Sequence, residues 1–98
     1  MNKITYTYHW TWYKSRYSPD KPFKVHTYTR PDPTWEKIKD EAETISLSIE
    51  EAKAEVKKWL NYKNDLSYKD MWDSNDYATN DWYNKVIREL EYLIREAE

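Results

Sequence analysis

Glycine is missing altogether from this 98-residue chain, and so is cysteine. Without glycine there is no P-loop, no GxGxxG turn, no G-x-S-x-G nucleophile elbow, and no glycine for the sharp turn of a Ca²⁺ loop. Loops must turn without the residue that most readily takes positive φ. Without cysteine there is no disulfide, thiol nucleophile or cysteine–zinc site, and the redox compartment cannot be read. Long apolar runs are missing too. The longest is Tyr92-Leu93-Ile94, so no membrane span is expected. No apolar h-region of a secretory signal is visible, and a cytoplasmic address is the default expectation.

Aromatic rings are plentiful: six Trp, ten Tyr and one Phe. Large rings can build a core from few positions, which suits one small domain spanning residues 1–98. The net charge of −2 hides an asymmetry. In residues 1–31, six Lys/Arg against Asp20 leave +5. In residues 65–98, four basic against nine acidic residues leave −5. Such a chain can steer onto charged partners or pair with itself.

Two runs in residues 1–31 read as strands. Ile4, Tyr6, Tyr8, Trp10 and Trp12 alternate with Thr5, Thr7, His9, Thr11 and Tyr13; Phe23, Val25, Thr27 and Thr29 alternate with Lys24, His26, Tyr28 and Arg30. Ser18-Pro19-Asp20-Lys21 reads as a type I turn within a connection of about Lys14 to Lys21. Setting Trp10 opposite Val25 and Trp12 opposite Phe23 keeps the polar faces together. It also brings His9 opposite His26, a pair that could share a metal or respond to pH. With no third ligand in sight, neither a metal nor a cofactor is expected.

Residues 32–98 read as helical. Asp32-Pro33 resembles an N-cap followed by Pro at the first helical position, with Trp35, Ile38, Ala42 and Ile45 as a stripe. Ser48-Ile49-Glu50-Glu51 is a capping box, with Leu47 placed to staple against Ala52. The helix it opens is expected to run to about Tyr62, burying Ile49, Ala52, Val56, Trp59 and Leu60. Asn61 to Thr79 reads as a loop with one helical turn near Ser67–Trp72. A last helix from about Asn80 carries Tyr83, Val86, Ile87, Leu90, Leu93, Ile94 and Ala97. The fold class is therefore α+β: an N-terminal antiparallel β-hairpin packed on two to four α-helices. A two-stranded sheet is marginal alone, so helices or a second copy must cover it, giving a monomer or a homodimer.

Two surfaces can meet a partner. Asp70, Trp72, Asp73, Asp76 and Tyr77 combine carboxylates with rings, which suits a basic protein partner. Asp73-Ser74-Asn75-Asp76 opens like a Ca²⁺ loop but has Ala78 where Gly belongs and Asn84 where the bidentate Glu belongs. Tyr13, Arg16, Tyr17, Lys24, Tyr28 and Arg30 place charge beside rings, as a nucleic-acid binder does. Dedicated nucleic-acid domains are usually basic overall, and this chain has a pI near 5.7. No catalytic motif is present, so no enzyme is expected. The expectation is a small protein-binding modulator. Its specific form is a phage or mobile-element inhibitor of the anti-defence, anti-CRISPR type, acting in the host cytoplasm on a nucleic-acid-processing protein. Nucleic-acid binding through the hairpin is the alternative.

Overall fold

The computed structural model describes residues 3–98. Its elements run β1 (Lys3–Ser15), β2 (Ser18–His26), β3 (Trp35–Ser48), α1 (Ile49–Ser67) and α2 (Ser74–Ala97). The class is α+β, with one antiparallel sheet of order β2-β1-β3 and two helices. The Cα frame measures 49 × 32 × 16 Å, thin enough for one sheet layer and one helix layer.

The largest departure from the sequence reading is β3. The stretch read as a helix from Asp32 is a strand that pairs with β1 from Lys3↔Ser48 to Ser15↔Trp35. Asp32 starts a turn instead of a helix. Its Oδ1 accepts the Thr34 N–H at 2.8 Å and the Thr34 hydroxyl at 2.6 Å, the local bonding by which Asp favours turns. The supposed helical stripe is dispersed: Ala42 is exposed opposite His9, and Ile38 is exposed beside a register shift. The period that holds is two. Ile45 and Leu47 pack inward between exposed Thr44 and Ser46.

The hairpin connection is also tighter than expected. Only Arg16 and Tyr17 separate β1 from β2, and the Ser18–Lys21 segment belongs to β2. No described residue has positive φ, whereas the favoured two-residue hairpin turns require it. The register shifts between Tyr13 and Ser15; such an irregularity adds the local twist that the turn does not supply. The pairing differs by one residue from the expected one: Trp10 faces His26, Thr11 faces Val25 and Tyr13 faces Phe23. Pro19 and Pro22 sit in β2, an edge strand, where a missing N–H is tolerated.

Strands β2 and β3 flank β1 and run in the same direction, so residues 27–34 cross from one edge to the other. The crossing touches α2, with Arg30 N donating to Asn75 Oδ1 at 2.8 Å. Helix α1 begins as expected, with Ser48 and Glu51 forming a reciprocal capping box. It continues to Ser67, past Tyr62, and Leu60 is exposed. Helix α2 begins at Ser74, six residues before Asn80. Asp73 caps it, accepting from Asp76 N while Asp76 accepts from Asp73 N.

The core lies between one sheet face and the two helices. Tyr6 and Tyr8 meet Trp59, Trp82, Val86, Ile87 and Leu90, with Trp10, Ile45, Leu47 and Val56 packed around them. Trp59 and Trp82 meet edge to face at 5.0 Å, and Trp10 lies 5.4 Å from Trp82. The Tyr8 hydroxyl donates to Glu55 at 3.1 Å and accepts from Trp59 Nε1 at 3.2 Å, tying β1 to α1. The Tyr6 hydroxyl donates to Glu89 at 3.4 Å, tying β1 to α2. Trp12 does not join this core. Its ring lies under Lys39, its Nε1 donates to Glu41, and it lines a small groove with Pro22 and Ile38. Tyr13, Phe23 and Trp35 form a separate aromatic cluster near the hairpin end.

Candidate interaction surface

Helix α1 ends at Ser67 and α2 begins at Ser74, so residues 68–73 make a corner between antiparallel helices. This corner is held from several directions. Trp72 Nε1 donates to the Leu66 carbonyl at 3.1 Å, and its ring meets Tyr77 at 5.1 Å. Lys69 Nζ donates to both Asp76 carboxylate oxygens, at 2.9 and 2.8 Å. That pair holds the Asp76 carboxyl below its usual pKa and raises the Lys69 ammonium. Asp73 closes the capping box.

The five residues singled out from sequence therefore divide. Asp73 and Asp76 build the start of α2, and the Asp76 side chain is largely covered. Trp72 is half-buried and fastens the corner to α1. Asp70 is exposed, and Tyr77 is 59% exposed. The five candidates leave out the most exposed large side chains here, Tyr68 at 84%, an aromatic of the same acidic stretch, and Met71 at 83%. The available signal was Met71, an apolar residue between Asp70 and Trp72 outside any helical stripe.

The hairpin candidates disperse. Tyr13 is buried, so its ring is closed to a base. Lys24 is committed to carboxylates, ion-paired with Glu43 and 3.8 Å from Glu41, and it lies over the Trp10 ring. Arg16 and Tyr17 form the exposed turn. Tyr28 and Arg30 lie past the other end of β2, on the order of 25 Å away at the usual rise per strand residue. The six residues do not make one continuous surface.

The histidine pair is not formed. His9 faces Ala42 and is exposed. His26 faces Trp10, stacks on Trp82 at 4.8 Å and meets Thr79 Oγ1 at 3.0 Å. Burial pushes its pKa down to about 4, so the ring is neutral in the fold at pH 7. Among the described residues, no three His, Cys, Asp or Glu side chains come together as a metal site. No described helix is long and apolar enough to cross a membrane.

No family model, curated protein or solved structure matches this chain.

Proposed function

We propose that this protein is a non-enzymatic module that binds another protein through the corner between α1 and α2. The observation that supports this reading is the pairing of exposure with rigidity. Tyr68 and Met71 stand out from a loop that a capping box, an ion pair and a Trp hydrogen bond hold in place. Aromatic residues and Met are enriched at protein interfaces. A surface already ordered loses little conformational freedom on binding. The finer reading is a phage or mobile-element inhibitor of a nucleic-acid-processing protein, supported by the −5 charge of residues 65–98, which complements a basic surface. Hairpin binding to nucleic acid is the weaker reading, because Tyr13 is buried and Lys24 is ion-paired.

Photo-cross-linking tests the choice. A photoreactive residue at Met71 should capture a protein in cells, and Tyr68→Ala with Met71→Ala should abolish capture without lowering the melting temperature. Cross-linking only from Tyr17, or only to nucleic acid, would reject the corner.

A further inference from the structure

Beside the corner, the last turns of α1 and the start of α2 frame an open groove of about 430 Å³. It is lined by Tyr62, Asp65, Leu66, Tyr68, Lys69 and Tyr83. Three phenol rings in one groove present electron-rich faces, which attract a cation. The rings are not all loose. Tyr62 meets Trp59 edge to face at 5.2 Å and lies 6.2 Å from Tyr83. Tyr83 in turn packs on Trp59 at 5.7 Å and Trp82 at 5.9 Å, so two walls of the groove are continuous with the core.

The charges point the same way. Asp65 has no ion-pair partner among the described residues. Among the described residues that line the groove the one cation is Lys69, which is occupied by both oxygens of Asp76. The free charge at the groove is therefore negative, and the aliphatic Leu66 is part of the lining. We infer that this groove accepts an arginine side chain from a basic segment of a partner protein, the guanidinium lying against Tyr rings and meeting the Asp65 carboxylate. Arginine fits better than lysine because its planar group stacks on rings and pairs with a carboxylate through two parallel bonds. This rests on the reading of the neighbouring corner as a protein interface, and it adds the chemistry of the partner.

The test is a titration of the whole chain, observed by amide and aromatic NMR. The probe is a short peptide alternating Arg and Ala; the control has citrulline in place of Arg, with the same shape and no charge. Saturable shifts centred on Tyr62, Asp65, Tyr68 and Tyr83, weakened about fivefold or more by Asp65→Asn and by Tyr68→Ala, support the groove. Equal binding of the citrulline peptide, shifts centred on other carboxylates of α2, or no change with Asp65→Asn would overturn it. Protein capture from Met71 together with no Arg-peptide binding sinks the groove alone and leaves the corner standing. Peptide binding in the groove with no protein captured from Met71 supports the groove and sinks the wider reading.

Discussion

His26 shows how one side chain ties strand, helix and solvent conditions together. The one-residue difference in register turns it toward Trp82 instead of toward His9. Burial then favours the neutral ring, and the pKa falls from 6.5 to about 4. In the unfolded chain the same ring takes a proton below about 6.5. Between these values the unfolded state binds more protons than the folded one. Stability is therefore fully present above pH 6.5 and declines as pH falls through the window toward 4. The carboxylates whose pKa values are held down by partners, such as Glu51, Asp40 and Asp76, add their losses lower, as pH falls through the acid range. Urea midpoints measured at pH 7.5, 5.5 and 4.5 should show the wild type weakening across the first interval and His26→Gln weakening less. Parallel curves for the two proteins would mean that His26 is not held neutral by the fold. Tyr8 makes the complementary point with a group that stays neutral throughout: burial and the adjacent Glu55 carboxylate push its phenol up to about 12, so it remains a donor at any ordinary pH.

At the scale of elements, alternation located β1 and the last part of β2, Phe23 to His26, but missed the start of β2 and could not choose which ring reaches the core. Trp10 and Trp12 share a face by parity, yet only Trp10 packs against the helices. Replacing Trp10 with Ala should cost about 3 kcal/mol or more in a denaturant titration, as large core truncations do. Replacing Trp12 should cost roughly 1 kcal/mol, as for a residue outside the core. Equal costs would place the helices further along the hairpin than they lie here. The helical reading of residues 35–45 failed for a tertiary reason. Trp35, Ile38, Ala42 and Ile45 fit a helical period, and the Lys and Glu residues between them favour helix. But β1 is thirteen residues long, and β2 pairs only with its second half. The other edge of β1, free along its whole length from Lys3 to Ser15, takes β3, whose Thr44-to-Ser48 alternation is the local clue. The charged residues that argued for helix find strand partners: Glu41 and Glu43 receive Lys24, and Asp40 accepts from Thr11. The late start assigned to α2 has a simpler cause. Asp73 and Asp76 fit the opening of a Ca²⁺ loop in sequence, while their three-residue spacing is also that of a capping pair. Of the candidate surface, the segment was legible and the roles were not, because carboxylates that build a cap and carboxylates that meet a partner look alike in sequence.

Across the whole molecule the charge separation is softer than the chain order suggests. Strand β3 lays Glu41 and Glu43 beside the basic hairpin and neutralises Lys24. No strand does the same for the corner, where Asp65 and Asp70 remain without ion-pair partners among the described residues. A basic partner should therefore be drawn to the corner end. Exposed carboxylates should govern how fast it arrives, and the rings how long it stays. Charge reversal at Asp73 or Asp76 is the wrong probe, since either change breaks the cap of α2 and confuses binding with folding. Asp65→Asn and Asp70→Asn leave the cap intact. In surface plasmon resonance against the captured partner, Asp70→Asn should slow association roughly 3-fold at low salt and leave dissociation nearly unchanged, whereas Asp65→Asn, which also removes the carboxylate that meets the arginine, should slow association and speed dissociation as well. Raising the salt concentration should erase the difference in association, because exposed charges are screened over about 10 Å at 0.1 M. Tyr68→Ala and Met71→Ala should do the reverse, speeding dissociation at every salt concentration with little effect on association. If the Asn variants changed only dissociation, or the Ala variants only association, the division between steering charge and anchoring rings would be wrong for this surface.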